Sequence, residues 1–380
     1  MNMTAKTWCQ PQGQARGPWI RGFPLPLPVW AHYASPVLTV PTVEQYEELA
    51  GSVELETQRL LREHRYNTVG NFLRFYRDYS ISGESVLDNF YRTYQPIITD
   101  EHYTCVGLGF ELLRRLTDLD ERYPGLAKSL YLTSCEETIG NVASYVGGPP
   151  APASGEKEHV LVCLRIKIGE RCGFMLLDPG YHIARVVTVM ADKLYPHTGW
   201  FTQIEEPNCT KLYNYYPCTE DPDYIEWHER VTRPGAFETA QVALIYVARP
   251  YLTAIDVTER RNLVYNHKSL IARDTKGHTI AGIYFPVVLD RDNATFTIFH
   301  QTANRKKRVK MAFNKFQRTS EIRPNAEEME IVAECARQLE IPPDELESII
   351  SALARIMSDT SFVTQLLTIN QHINTLAEAN

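Results

Sequence analysis

The stretch from Glu158 to Gly180, EHVLVCLRIKIGERCGFMLLDPG, decides the fold. Two β-type runs, Val160–Ile168 and Gly173–Leu177, flank Ile168-Gly169, a two-residue turn whose glycine is free to take positive φ. That turn predicts an antiparallel hairpin with His159 opposite Asp178 at its open end. A turn centred one residue later leaves the two as diagonal neighbours. Either register brings a carboxylate within reach of an imidazole, as an oriented general base requires.

The chain around this hairpin divides into four regions. Residues 1–43 are proline-rich and predict a flexible or extended arm. Prolines alternate through Phe23–Trp30 and exclude a helical secretory core, so the expected compartment is cytoplasmic. Residues 44–155 predict a mainly helical domain that ends in the proline- and glycine-rich linker 147–155. Residues 156–320 predict a β-rich domain, with Asp290–Asn293 as a hairpin loop. Residues 321–380 predict an acidic helical tail, with eleven acids against three bases. There Asn325 and Asp344 stand at N-cap positions, and Pro342-Pro343 separates two helices. Leu346, Ile349, Ile350, Leu353, Ile356 and Met357 share one apolar face. The expected tail is a docked appendage or a surface for a protein partner.

Composition removes several classes. No run of eighteen apolar residues is present, which excludes a membrane-spanning helix. The 39 basic and 46 acidic residues give a net charge of −7, which argues against a general nucleic-acid surface. Eight cysteines lack CxxC or zinc-ligand spacing, so no metal is expected and the thiols are expected to be reduced.

One cysteine stands in a context that suits a nucleophile. Leu108, Leu112, Leu113 and Leu116 recur at helical spacing after Thr104, an acceptable N-cap, so Cys105 falls in the first turn of a helix. Unpaired backbone N–H groups and the helix dipole favour a thiolate at such a position. Gly107 and Gly109 allow close approach of a backbone or a substrate. The bland reading is a small buried residue capping a core helix. A helix-start cysteine, a linker and a hairpin ending in histidine and aspartate nevertheless give the order Cys…His…Asp, which supplies nucleophile, base and orienter. His182 is an alternative base.

Cysteine on a helix, histidine opening a strand and aspartate ending the next as LLDPGY resemble the arylamine N-acetyltransferases. More widely they resemble the transglutaminase-like, papain-related cysteine enzymes. The likeness covers residues 100–186, more weakly the later β-rich segment. It departs before the cysteine, where an Arg-Gly-Gly stretch is usual and Glu101–Thr104 reads EHYT. The resemblance implies an α+β fold: a helical N-terminal bundle packed on an antiparallel sheet or barrel, here with a C-terminal helical extension. It also implies that Cys105 is acylated, that His159 takes its proton and that Asp178 holds the imidazole. The acyl group, from acetyl-CoA or another acyl-CoA acting as co-substrate, would pass to an amine or hydroxyl acceptor. The oxyanion donors expected are the amide of Cys105 and an N–H near Val106. The alternatives are an amide hydrolase or transamidase, and an inactive scaffold that holds a partner.

Three further features carry weaker expectations. A basic strip at 301–320 includes Lys306, Lys307 and Arg308, candidates for the nucleotide end of coenzyme A, for a nuclear address or nucleic-acid contact, or simply a solvated face. Cys163 and Cys172 fall close together across the hairpin as core residues. The aromatics at 200–201 and 213–216 suggest core packing or an acceptor pocket.

Overall fold

A computed structural model describes residues 14–148, 157–290, 294–303, 305–317 and 322–378. Residues 149–155 of the linker, Cys9, Arg318 and residues 291–293 of the expected hairpin loop lie outside the described residues. The architecture is α+β. Its larger sheet is a curled, mostly antiparallel half-barrel in the order β6-β5-β4-β3-β10-β9-β8-β7. The strands are β1 (Leu38–Val40), β3 (Leu130–Glu136), β4 (His159–Ile168), β5 (Arg171–Leu177), β6 (Val187–Met190), β7 (Phe201–Glu206), β8 (Cys209–Pro217), β9 (Tyr224–Thr232) and β10 (Thr239–Tyr246). β1 adds to β4 in parallel. A second, antiparallel sheet runs β14-β13-β12-β11-β2. It comprises β2 (Tyr66–Asn67), β11 (His267–Arg273), β12 (Thr279–Pro286), β13 (Thr295–Gln301) and β14 (Lys306–Ala312).

Alternation along β4 explains how helices and barrel share one strand. Val160, Val162, Leu164 and Ile166 pack against two helices, α1 (Val43–Glu63) and α4 (Cys105–Thr117), through Leu49, Val53, Leu108 and Leu112. Leu161 and Cys163 face the other way, onto Tyr213, Tyr215 and Trp227 inside the half-barrel. The aromatics of 201–216 divide accordingly. Phe201, Tyr213 and Tyr215 are core, with Tyr215 stacked on Trp227 at 5.8 Å, rather than the wall of an acceptor pocket.

Several expectations change. Ile168 pairs with Arg171 and Val162 with Leu177, so the turn is Gly169-Glu170, the later of the two turns the sequence allows. His159 and Asp178 are therefore diagonal neighbours. The same register puts Cys163 opposite Leu176 and Cys172 opposite Lys167, so these two cysteines do not face each other. Leu130–Glu136 is a central strand inside the region read as helical, because a short apolar run has no period to distinguish strand from helix. The described part of the N-terminal arm is docked, not free. Ala15 and Ala31 donate to the carbonyls of Leu252 and Pro250, and Trp30 packs on Tyr246 and Tyr251.

The tail is likewise part of the core. Its helices are α8 (Ala326–Gln338), α9 (Pro343–Ser358) and α10 (Thr360–Glu378); they follow α2 (Thr68–Ser82), α3 (Leu87–Thr93), two short helices α5 (Leu126–Ser129) and α6 (Val142–Gly147), and α7 (Arg260–Val264). Asn325 caps α8 in a reciprocal box with Glu328, as its position suggested. Asp344 is not a cap. Pro343 takes the first helical position, where its missing N–H costs nothing, and Asp344 falls in the first turn. A third helix continues beyond the two expected. Val332, Leu346, Ile350, Leu353 and Phe362 pack with Phe72 and Phe75 of α2 and with Phe285 and Phe296 of the second sheet. Tail, N-terminal helices and second sheet thus bury one common core. Among the described residues no helix is long and apolar enough to cross a membrane.

Candidate active site

The first turn of α4 presents Cys105. Thr104 caps this helix, its Oγ1 accepting from the Val106 N–H at 3.2 Å. The same hydroxyl donates to Glu259, which also accepts from Asn71 Nδ2 at 2.7 Å. Glu259 closes a widened helical turn, Ala254–Glu259, that runs into α7. Burial pushes its carboxyl up to about 7 even though both hydrogen bonds favour the charged form.

His159 opens β4, and Asp178 follows the last residue of β5. The His159 Nε2 lies 2.9 Å from each Asp178 oxygen, an arrangement that orients the ring. Burial alone would lower the histidine pKa. The Asp178 carboxylate and the hydrogen bond to Cys105 outweigh it, and the imidazole is held well above its ordinary range. Cys105, His159 and Asp178 are each only 3% exposed. The structure therefore brings together all three residues singled out in the sequence.

The loop after Asp178 closes over them. A Cβ at Gly180 would sit 2.7 Å from both Cys105 Cβ and His159 Cε1. Those two atoms are therefore no more than twice that distance apart, and only glycine fits between. The Tyr181 N–H donates to Asp178 Oδ1 at 3.0 Å, and its ring meets His159 edge-on at 4.7 Å. Arg273, on β11, ties the loop to the second sheet. It donates to the Pro179 carbonyl at 3.1 Å and contacts His182 Nδ1 at 3.0 Å. The His182 ring nitrogen Nδ1 is thereby engaged by Arg273. Burial and this guanidinium hold its pKa well below the ordinary value.

The Val106 N–H, expected as an oxyanion donor, is taken by Thr104. A donor that the sequence did not suggest stands on the other side: Asn262 Nδ2, from α7, 3.8 Å from Cys105 Sγ. Asn262, Glu259 and Arg273 lie more than 150 residues from Cys105, and no local pattern marks them. Gly107 and Gly109 admit the Tyr103 ring and Leu132 rather than a substrate. The basic strip is carried away from the triad on β14, the edge of the second sheet. Lys306 and Arg308 both bind Glu206 at 2.6 Å, Lys306 also donates to Thr279, and Lys307 lies 3.6 Å from Glu327.

Compared with family models, curated proteins and solved structures, the chain matches none of them.

A buried thiol, an imidazole held by a carboxyl group and a side-chain amide beside the sulfur are groups that can together form and resolve a covalent acyl-cysteine. Among the described residues no cluster of histidine, cysteine and carboxylates suits a metal ion.

Proposed function

We propose that this chain is a cysteine acyltransferase of the arylamine N-acetyltransferase type, working through an acyl-Cys105 intermediate. The observation that carries the reading is the Cys105–His159–Asp178 constellation, with a diad of Nε2 to both carboxylate oxygens at 2.9 Å. The Cys105 thiolate attacks the carbonyl carbon of an acyl thioester, and the oxyanion develops toward the Cys105 amide and Asn262 Nδ2. Collapse breaks the carbon–sulfur bond of the donor, and His159 delivers its proton to the departing thiolate. An amine or hydroxyl then attacks acyl-Cys105. His159 takes that proton, and the Cys105 thiolate is regenerated beside an imidazolium. Asp178 stabilises the imidazolium at both stages. Lys306 and Arg308 are committed to Glu206, so support for a thioester donor comes from the triad and not from the basic strip.

The test is intact-mass measurement after incubation with acetyl-CoA. An acetyl adduct on the wild type that is absent from Cys105→Ser supports the reading. No adduct, or one that survives Cys105→Ser, overturns it.

A second reading keeps the triad and replaces thioester chemistry with attack on an amide. It is favoured by the EHYT sequence that stands where the acetyltransferases carry Arg-Gly-Gly. Labelling of Cys105 by a peptide-amide warhead, with no acetyl adduct from the thioester, would select it.

A further inference from the structure

A cleft of about 780 Å³ opens between α2 and α9, on a face of the molecule that includes none of the triad residues. Its volume lies within the range of small-molecule sites. Two kinds of side chain line it. Leu73, Leu270, Ile341, Ile349 and Ile356 make an apolar floor, and Arg65, Arg74, Arg77 and Arg355 stand around it.

The arginines are unusually short of counter-charge for a chain of net charge −7. Arg77 pairs with Asp78 at 2.9 Å. Arg65 donates to the Leu339 carbonyl at 2.6 Å. Arg74 is directed at the Ile97 carbonyl, Thr99 Oγ1 and His102 Nδ1. Arg355, on the exposed face of α9, has no hydrogen-bonding partner among the described residues. Three guanidinium groups thus line one cleft without a carboxylate in contact among the described residues. Glu101 and Glu345, the two acids on its lining, reach none of them. The His102 imidazole on the wall is held at about 4, chiefly by burial and further by the Arg74 and Arg65 charges. Guanidinium forks match phosphate and carboxylate oxygens two at a time, and the floor offers apolar contact to whatever carries them.

We propose that the cleft between α2 and α9 binds an amphiphilic anion: an apolar body with a phosphate or carboxylate group held by Arg74 and Arg355. The site is independent of the triad reading. Its walls come from both ends of the chain, which gives the C-terminal helices a ligand to hold besides their share of the core.

The site has a physical link to Cys105. Arg74 braces His102, whose carbonyl accepts from Asn71 Nδ2 at 3.2 Å. Asn71 holds Glu259, and Glu259 holds the Thr104 cap of α4. A ligand that draws on Arg74 therefore acts on a chain of hydrogen bonds that ends at the nucleophile's helix.

The test is calorimetric titration of the full chain with dodecyl phosphate, dodecanoate and dodecanol, each below its aggregation concentration. Saturable one-to-one binding of either anion, at least tenfold tighter than dodecanol, is expected. The tighter of the two identifies the headgroup. Arg355→Gln, at an exposed position with no partner to lose, should weaken the anion at least tenfold. Ala352→Trp, which fills the cleft, should abolish binding. Lys310→Gln, an exposed lysine of β14, and Cys105→Ser should both leave the affinity unchanged. Binding that is absent, matched by dodecanol, or unaffected by both Arg355→Gln and Ala352→Trp overturns the proposal. Loss of binding in Cys105→Ser would place the ligand at the triad instead and also overturns it.

Discussion

Gly180 touches Cys105 and His159 at once: a methyl group on its α-carbon would lie 2.7 Å from Cys105 Cβ and from His159 Cε1. The corrected hairpin register accounts for this contact. Shifting the turn to Gly169-Glu170 carries Asp178 two positions along the strand, and the loop after it folds back over the nucleophile.

Gly180→Ala should therefore separate the histidine from the cysteine while leaving both present. The expected result is a fall of tenfold or more in the iodoacetamide alkylation rate of Cys105 at neutral pH. Overpacking should cost about 1–3 kcal/mol of stability in urea unfolding. An alkylation rate equal to the wild type would show that the close approach has no role.

Asp178 decides the charge on His159. With it, the imidazolium persists well above the ordinary histidine range; without it, burial is the main remaining influence and favours the neutral ring. The folded value exceeds the unfolded one. The resulting stability is complete below about pH 6.5 and is lost as pH rises through the folded value. Asp178→Asn should thus convert His159 to neutral imidazole at pH 7, as read by its ring nitrogen chemical shifts. It should also remove the alkaline loss of stability.

Asn262 offers a side-chain amide at the sulfur, 3.8 Å away. Loss of such a donor costs on the order of 100-fold in rate in acyl-transfer sites where it has been removed. Asn262→Ala should slow acyl-enzyme formation by 10- to 100-fold with little change in melting temperature. Its own carbonyl, which receives Lys268 Nζ at 2.7 Å, is backbone and survives the substitution. A rate within twofold of wild type would exclude it as an oxyanion donor.

Glu259 titrates in the opposite sense to an ordinary stabilising carboxylate. Its folded pKa of about 7 lies above the ordinary 4.5. The folded chain therefore binds this proton more tightly, and the stability it brings is full below 4.5 and lost as pH rises through 7. That loss is on the order of 3 kcal/mol. Glu259→Gln should gain about this much on the wild type between pH 4.5 and pH 8 in chemical unfolding. A constant difference across that range would refute the assignment.

Leu353 is fully buried between the C-terminal helices and the second sheet. Leu353→Ala should cost about 2–5 kcal/mol in a single cooperative transition. An appendage would melt separately and leave the main transition unmoved.

How much of this was legible in the chain depends on the range of the interactions. The helix start at Thr104-Cys105, the hairpin and the cap at Asn325 were readable because each is a local pattern. Periodicity, turn chemistry and capping act within a few residues. The strand Leu130–Glu136 was missed because a short buried run has no period that separates strand from helix. The docking of the arm was missed because alternating prolines describe a backbone conformation, not what lies beneath it.

Residue order alone made Cys105, His159 and Asp178 candidates for nucleophile, base and orienter, and it marked the apolar face of α9. Tertiary structure alone decided that the three meet, that His182 is taken by Arg273, and that Asn262 and Glu259 flank the nucleophile's helix. It also decided that the tail closes a core and a cationic cleft with α2. The reason is physical. Local propensity is set by neighbours in sequence, whereas the partners of a buried charge or thiol come from whichever distant strand or helix completes the packing around it.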